Sequence, residues 1–315
     1  MGSVRRAVID IGTNSIKLLV ADVDGPDVQP VLEQSRQTRL GSGFYETQRL
    51  QPAAIAATAE AVSDFVEIAR QHSAISVKLI ATSAAREAKN VDDLTAAVKA
   101  ASGISIQIIS GEQEADWVFK GVTTDPVLAG LPLLILDVGG GSSEFILGHD
   151  HQKHFSASFP LGTVRLLERS PHSEPPGAAE LQACRQAIRL FLHEEVRPRL
   201  DAPLNREIHG PVREIQLAAT GGTASILARM ELLIDSYDRA KIEGVEIPAH
   251  RVRWHAEHLW RLPMAQRKQI RGLPPDRADV ILTGVLIYEA IMAEFRFPQL
   301  RVSTRGLRFA AVLDQ

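Results

Sequence analysis

The chain has 315 residues, of which 45% are hydrophobic, 23% charged and 5% aromatic, and these proportions exclude disordered, collagen-like and coiled-coil proteins. Its net charge of −3 lacks the basic surplus of a dedicated nucleic-acid or acidic-membrane binder, so neither is expected as a partner. The single cysteine, Cys184, excludes an intrachain disulfide and fits a reducing compartment. Because the sequence shows no signal-peptide core and no clean apolar run of about 20 residues, we expect a soluble cytoplasmic protein.

Strands and helices alternate in the first part of the chain. Residues 7–20 place two apolar runs on either side of a short polar turn, a pattern that predicts a β-hairpin. Hydrophobic spacing then predicts helices and short strands in alternation, at 53–70, 77–82, 91–101, 104–109 and 112–120. Such alternation indicates an α/β domain.

A second hairpin repeats the first. Residues 133–147 again flank a polar turn with apolar runs, and Asp137-Val138-Gly139 corresponds to Asp10-Ile11-Gly12. An internal repeat of this kind predicts two similar domains. We place them at residues 1–124 and 125–315, with the terminal helix of the second free to pack back on the first.

The second half continues the α/β pattern. Its predicted helices and strands lie at 177–197, 214–219, from 224, 250–272, 276–296, 301–303 and from 307. The helical segment 250–272 carries four basic residues that could form a local path for a polyanion: Arg261, Arg267, Lys268 and Arg271.

Three histidines cluster just after the second hairpin. His149, His151 and His154 stand beside Asp150 and Lys153 in a polar segment. This setting predicts a solvated loop, with metal binding as the alternative interpretation.

Three turns carry the glycine and hydroxyl residues that commonly hold phosphate. Glycine lets the backbone approach a phosphate closely and expose its N–H donors, and the third turn also begins a helix, whose positive end favours anions. Each could be a plain turn, but two of them are repeats of one another. The candidate phosphate-binding residues are Gly12, Thr13, Asn14, Ser15, Gly139, Gly140, Gly141, Ser142, Ser143, Gly221, Gly222 and Thr223.

Acidic residues accompany these turns. Asp10 and Asp137 end apolar strands at equivalent positions, and each precedes a phosphate-type turn. Carboxylates next to bound phosphate are typical ligands of Mg²⁺, so both are candidate metal ligands. Glu144, just past the second turn, could complete that site, although by itself it is most simply an exposed hairpin residue.

Two further side chains could take part in catalysis. Glu114 lies in the first turn of a predicted helix, where a carboxylate is stabilised by the helix dipole, and it could also serve as a general base that activates water. Arg86 follows a predicted strand and could neutralise a developing phosphoryl charge, or it could be an ordinary surface arginine.

Together these motifs resemble one known family. Asp10–Ser15, Asp137–Glu144 and Thr220–Thr223 look like the phosphate and nucleotide motifs of the actin/hexokinase/Hsp70-type superfamily. Within that superfamily, Ala81–Arg86 and Ile109–Ala115 are similar to the exopolyphosphatase/guanosine pentaphosphate phosphatase family.

The resemblance runs from residue 5 to about residue 311. It implies two α/β domains of the ribonuclease-H-like (actin-like ATPase) type with the active site in the cleft between them. It also implies hydrolysis of the terminal phosphate of inorganic polyphosphate, with Mg²⁺ or Mn²⁺ as cofactor. Glu114 then matches the catalytic base and Arg86 the active-site arginine, while Asp137 and Glu144 match acidic metal or water ligands.

Other positions match less directly. Gly162-Thr163-Val164 matches a loop on the substrate side, whereas Thr304 and Phe309 replace acids that the family commonly has near its C-terminus. Three alternative functions stay open: hydrolysis of guanosine pentaphosphate, a non-catalytic polyphosphate or nucleotide sensor, and an ATP-dependent kinase of the superfamily. Assembly as a homodimer is left open as well.

Overall fold

The computed structural model describes residues 2–208 and 214–315. The chain forms two compact units, one of residues up to Pro126 together with Arg305–Gln315 and the other of Val127–Thr304. The terminal helix, which the domain prediction counted with residues 125–315, therefore belongs to the first unit. Among the described residues, no helix has the length and apolar character that crossing a membrane requires.

The first unit is built on a five-stranded mixed sheet of order β3-β2-β1-β4-β5. Its strands are β1 (Val4–Ile11), β2 (Ser15–Asp24), β3 (Asp27–Gln37), β4 (Ser76–Ala81) and β5 (Ile106–Ile108). The hairpin strands β1, β2 and β3 pair antiparallel, whereas β1, β4 and β5 run parallel. The apolar runs of β1 and β2 are buried because these strands lie inside the sheet, covered on both faces.

Helices cover this sheet. They are α1 (Phe44–Thr47), α2 (Pro52–Gln71), α3 (Ser83–Glu87), α4 (Val91–Ser102), α5 (Gly111–Val122) and the terminal helix Leu307–Leu313. The terminal helix lies against α5 at Gly121, where an added Cβ would come within 2.1 Å of the Gly306 carbonyl oxygen. Arg6 caps its other end by donating to the carbonyls of Val312 and Leu313.

The second unit repeats the plan. Its six-stranded sheet has the order β10-β11-β9-β6-β7-β8, formed by β6 (Leu133–Val138), β7 (Ser143–His149), β8 (Gln152–Phe159), β9 (Gln216–Thr220), β10 (Glu246–Pro248) and β11 (Gln299–Val302). Without the short edge strand β10, the series β8-β7-β6-β9-β11 has the same order and the same strand directions as the sheet of the first unit. The predicted α/β class with two ribonuclease-H-like domains is confirmed.

The helices of the second unit surround its larger core. They are α6 (Thr163–Arg169), α7 (Ala178–Phe191), which runs through a π-helical turn (Leu192–Val196) into α8 (Arg197–Ile208), α9 (Gly221–Leu232), α10 (Arg239–Ile242), α11 (Ala249–Arg261), α12 (Met264–Arg267), a 3₁₀ turn (Pro275–Arg277) and α13 (Ile281–Phe295). Helix α13 is buried over most of its length, as the apolar run in 276–296 predicts, and Cys184 lies in the same core.

Three strands had no counterpart in the prediction: β3, β8 and the three-residue edge strand β10. Both β3 and β8 are third strands of a hairpin meander, and few of their residues are buried, one in β3 and two in β8, so they give little hydrophobic signal. The solvated loop expected around the three histidines is wrong for His149 and His154, which lie within β7 and β8. Only the turn between these strands, with Asp150 and His151 at positive φ, is irregular there.

Candidate active site

The polar turns of the first unit lie where its parallel strands end. The amide of Thr82, directly after β4, donates to the carbonyl of Ile11 at the end of β1, with N···O 3.3 Å. Carboxyl ends of parallel strands meet at one edge of a sheet, and this edge is where ligands usually bind in open α/β folds.

The turn between β1 and β2 has buried polar groups without protein partners. It closes through a hydrogen bond from the Gly12 amide to the Ser15 carbonyl, 3.1 Å long, and Thr13, Asn14 and Ser15 are all buried. Among the described residues, Thr13 Oγ1 and Asn14 Nδ2 have no hydrogen-bond partner. Buried polar atoms are rarely left unpaired, so these atoms indicate a site for a polar ligand or water.

Asp10, just before this turn, also has a buried oxygen without a hydrogen-bond partner among the described residues. It is buried at the end of β1, and the oxygen is Oδ1. Burial raises its pKa above the ordinary value, while Lys17 and Arg308 act in the opposite direction. A buried carboxylate with an unpaired oxygen fits a cation ligand or a group that orients water.

Arg86 and Glu114 form an ion pair. Helix α3 begins right after β4 and carries Arg86, whose Nη1 lies 3.0 Å from Glu114 Oε2 and 3.0 Å from the carbonyl oxygen of Ile109. Glu114 is buried in the first turn of α5, and Ser110 caps that helix by accepting from Gln113 N. The guanidinium therefore fixes the position of the carboxylate, and Arg86 is not the ordinary surface arginine of its simplest interpretation.

The turn between β6 and β7 repeats the geometry of the first. The Gly139 amide donates to the Ser142 carbonyl at 2.9 Å, as Gly12 does to Ser15. The amides of Gly140 and Gly141 donate to no acceptor in the part of the chain that the structure describes, as a phosphate-binding turn requires.

Helix α6 braces this turn from one side. The amides of Thr163 and Val164 donate to the carbonyls of Gly139 and Gly140, both at 2.9 Å, and Arg165 Nε donates to Gly141 at 2.7 Å. A Cβ on Gly162 would lie 2.4 Å from the Gly140 carbonyl oxygen, so only glycine fits. The segment Gly162-Thr163-Val164 thus holds the turn in place, and the carbonyls bound to it leave the turn's amides free to face a ligand.

A row of three residues crosses the second sheet beside the turn. Asp137 on β6 pairs with Glu144 on β7, which pairs with Ser158 on β8, so the three side chains share one face. Ser158 Oγ donates to Glu144 Oε1 at 2.8 Å, and Glu144 is 1% exposed. Glu144 is therefore not the exposed hairpin residue of its simplest interpretation.

The third predicted turn approaches the same carboxylate. Gly221, the first residue of α9, has a φ of +90°, and a Cβ there would lie 2.3 Å from Asp137 Oδ1. The positive end of α9 thus faces Asp137, with Gly222 next along the chain and Thr223 buried. Asp137, Glu144 and the two glycine turns form one group at the carboxyl edge of the second sheet.

Two residues of this region were missed by the sequence reasoning. The guanidinium of Arg277 lies beside Gly222, 3.4 Å from where a Cβ would stand. Tyr288 on α13 donates its hydroxyl to the Thr220 carbonyl at 3.2 Å, and burial, followed by the charge of Asp137, raises its pKa well above the ordinary value. The residues around Arg277 and Tyr288 contain no motif that would predict these contacts, because both lie more than 50 residues after the turn at Thr220–Gly222.

The structure removes one residue from the basic path predicted within 250–272, while Arg261, Lys268 and Arg271 are exposed. Arg267 is fully buried and pairs with Glu174 at 2.7 Å, while Arg271 pairs with Asp235 at 3.5 Å. A buried arginine cannot form part of an exposed track, so Arg267 is not part of such a path.

The altered C-terminal motif keeps a carboxylate close to Thr304. The amide of Thr304 donates to Glu243 Oε2 at 2.9 Å. The hydroxyl of Thr304 also forms hydrogen bonds with Glu243 and Arg239. Phe309 is buried in the terminal helix, with the Arg305 guanidinium 5.5 Å from its ring centre. The two replacements are thus accommodated without an unpaired side chain at either position.

Comparison with known proteins assigns the chain to a family. Residues 19–315 match the Ppx/GppA phosphatase family. The chain belongs to the Ppx/GppA phosphatase family. Its predicted resemblance is thereby confirmed over nearly the whole sequence.

Members of this family are similar to the chain in both sequence and fold. Exopolyphosphatase 2 of Mycobacterium tuberculosis is 35% identical over 309 residues, covering 94% of this chain and 92% of that protein. The crystal structure of an exopolyphosphatase from Cytophaga hutchinsonii superposes with a TM-score of 0.86 at 25% identity, covering 98% of each chain. The Ppx/GppA enzyme of Aquifex aeolicus gives a TM-score of 0.77 at 28% identity, covering 99% of this chain and 100% of that one.

Proposed function

We propose that this protein is an exopolyphosphatase, which hydrolyses the terminal phosphoanhydride of inorganic polyphosphate. The observation that carries the proposal is the ion pair of the half-buried Arg86 with the buried Glu114 at the carboxyl edge of the first sheet, in a chain similar to proteins named exopolyphosphatase. A positioned carboxylate of this kind suits hydrolysis, because a water molecule needs a base when it attacks a phosphoryl group.

Glu114 is the proposed general base. Its carboxylate accepts a proton from the attacking water as the water oxygen bonds to the terminal phosphorus. The bond to the bridging oxygen breaks, which releases orthophosphate and a chain shorter by one phosphate. Arg86 is a positioning residue, because its contacts to both Glu114 and the Ile109 carbonyl hold the carboxylate at one place.

The glycine turns are the proposed phosphate cradle. In the second unit, the unpaired amides of Gly140 and Gly141 and the helix end at Gly221–Thr223 offer hydrogen bonds and positive potential to phosphate oxygens. Arg277, beside Gly222, adds a cationic group that the net charge of the chain does not supply. In the first unit, residues 12–15 offer the buried donors described above.

A divalent cation is part of the proposal. Asp137 and Glu144, with Asp10 as a further candidate, would hold Mg²⁺ or Mn²⁺, and an all-oxygen set of this kind is what these ions prefer. Within the first unit the unpaired Oδ1 of Asp10 suits a cation, and within the second unit so do the two carboxylates packed side by side. When bound, the cation offsets the negative charge of the phosphate oxygens.

The decisive experiment measures phosphate release by the full chain from long-chain polyphosphate and from guanosine pentaphosphate, with Mg²⁺ or Mn²⁺. Substituting Glu114→Gln should lower kcat by at least about 10²-fold, the ordinary contribution of a general base. The matched control is Glu112→Gln, which alters an exposed carboxylate in the same helical turn and should leave turnover unchanged.

The outcomes separate the alternatives. Faster release from guanosine pentaphosphate than from polyphosphate would assign the nucleotide as substrate. Tight polyphosphate binding without any phosphate release would indicate a sensor, and transfer of label from ATP to a sugar would indicate a kinase. Unchanged turnover in Glu114→Gln would remove Glu114 from the mechanism.

A further inference from the structure

A second group of metal-ligating side chains lies at the far end of the β7–β8 hairpin. His149 at the end of β7, His154 on β8 and Glu207 on α8 each offer one ligand atom, and these atoms all lie within 4.8 Å of one another. Their side chains are 24%, 28% and 12% exposed, so the group is partly shielded from water. None of the three belongs to the proposed catalytic machinery.

The two histidines approach Glu207 from different strands. His149 Nε2 lies 3.4 Å from Glu207 Oε2, and His154 Nδ1 lies 2.5 Å from Glu207 Oε1. Atoms that bind one tetrahedral zinc at about 2.0–2.1 Å stand roughly 3.3–3.5 Å apart. The pair at 3.4 Å already has this spacing, whereas the pair at 2.5 Å has to open by about 1 Å to admit an ion.

The neighbouring residue Asp150 orients one imidazole for this role. Its Oδ2 lies 3.1 Å from His149 Nδ1, on the side of the ring away from Glu207. A carboxylate that accepts from one ring nitrogen fixes the proton there and leaves the other nitrogen with a free lone pair. Histidine ligands of metals usually have such a partner.

The imidazoles also sit edge to face, with ring centroids 4.4 Å apart at an angle of 88°. This arrangement brings two nitrogen ligands and one carboxylate together from two strands and a helix. Two imidazoles with a carboxylate form the protein part of known catalytic zinc sites, in which water fills the fourth position.

We propose that His149, His154 and Glu207 bind a zinc-class cation, which joins the β7–β8 hairpin to α8. Nitrogen ligands favour Zn²⁺, Co²⁺ or Ni²⁺ over the oxygen-seeking Mg²⁺ and Mn²⁺. The site is thus chemically distinct from the all-oxygen carboxylate group, and it does not depend on the proposed hydrolysis.

The test is a calorimetric titration of the metal-stripped full chain with Zn²⁺, in excess Mg²⁺ that saturates oxygen-ligand sites. Wild type should bind one zinc that raises the Tm, and Co²⁺ in its place should give the visible spectrum of nitrogen coordination. Substituting Glu207→Gln, which keeps the shape of the side chain, should weaken zinc binding at least about tenfold. The double variant His149→Ala/His154→Ala should lose the site.

His250→Ala is the matched control, since it removes an exposed histidine from α11 in the same unit and should bind zinc as wild type does. Circular dichroism of each metal-free variant checks that it is folded. Zinc binding or Co²⁺ spectra that are unchanged in both Glu207→Gln and the double variant would overturn the proposal. Equal weakening by His250→Ala would also overturn it, because the binding would then be unspecific.

Discussion

The two units of this protein carry the same sheet and different chemistry. In the first unit, a row of residues across β1, β2 and β3 reads Asp10, Lys17 and Ser35. The equivalent row of the second unit reads Asp137, Glu144 and Ser158. Both hairpins close with the same hydrogen bond from glycine to serine, so the rows correspond residue by residue.

The central residue of the row differs in charge. In the first unit, the positive charge of Lys17 favours the ionised form of Asp10. It thereby opposes burial, which is the larger effect and raises the pKa of Asp10. In the second unit, Glu144 takes the position of Lys17, so two carboxylates stand side by side. A cation close by stabilises two adjacent carboxylates in their ionised forms. The second unit is therefore the better candidate for the principal cation site, and the first unit supplies the Arg86–Glu114 pair instead.

A second difference lies in the parallel strand beside the first residue of each row, which is β4 in the first unit and β9 in the second. Ile80 pairs with Asp10, and the next residue is Ala81, whereas Thr220 pairs with Asp137, and the next residue is Gly221. The first unit tolerates a methyl group at this position. The second does not, because α9 begins there and approaches the Asp137 carboxylate closely.

The largest expected effect on turnover comes from giving the second unit the alanine that the first unit has at this position. Gly221→Ala places a methyl group 2.3 Å from Asp137 Oδ1, so the carboxylate or the turn must move by about 1 Å. A displacement of this size can lower turnover by about 10²-fold, and polyphosphate hydrolysis measures it. The control is Gly103→Ala, which also has a positive φ, of 76°, but an open space for the methyl group. Gly103→Ala should lose stability and keep its turnover, and an equal loss of turnover in both would contradict the prediction.

An intermediate effect is expected when one carboxylate is removed from the row of the second unit. Glu144→Gln keeps an oxygen that can accept from Ser158, so the fold should be unchanged. The concentration of Mg²⁺ or Mn²⁺ required for half-maximal hydrolysis should rise at least about tenfold.

Glu246→Gln makes the same change at an exposed position of the same sheet, where Glu246 pairs with Arg301. We expect that variant to need no more cation than wild type. A cation requirement that is equal in the two variants would rule out Glu144 as a ligand.

The smallest effect concerns the stability of the first unit. The folded-state pKa of Asp10 is raised, so folding takes up a proton, and the stability of the metal-free protein falls as the pH rises from the ordinary aspartate value through the raised one. Asp10→Asn removes this cost, and it should raise the Tm at neutral pH by about 2–4 °C, the shift produced by about 1 kcal/mol in a large domain. Thermal unfolding in metal-free buffer is the measurement.

Asp22 on the same hairpin provides a control of opposite sign. A hydrogen bond from Arg5 lowers its pKa, so its contribution to stability is present above the ordinary aspartate value and is lost as the pH falls. Asp22→Asn should therefore lower the Tm at neutral pH. If Asp10→Asn also lowered it, burial would not be the dominant influence on Asp10.

Local patterns predicted much of the fold. The two hairpins, α2, α4, α5 and most of the later helices follow from apolar periodicity and turn residues, which act over a few residues of chain. The strands β3 and β8 were missed because few of their residues are buried, so their pairing with β2 and β7 leaves little trace in the sequence. The candidate turns were found for the same reason as the hairpins, since glycine and hydroxyl residues mark a turn wherever it occurs.

The sequence by itself determined the α/β class, the repeat and the residue types of the candidate site. Only the tertiary structure decided which of them meet. It paired Arg86 with Glu114, brought Gly221 against Asp137 and Arg277 beside Gly222, and buried Arg267 away from any surface path. The physical reason is that periodicity reflects the burial of one face of one element, whereas these contacts join residues from separate elements, and packing alone sets their distances.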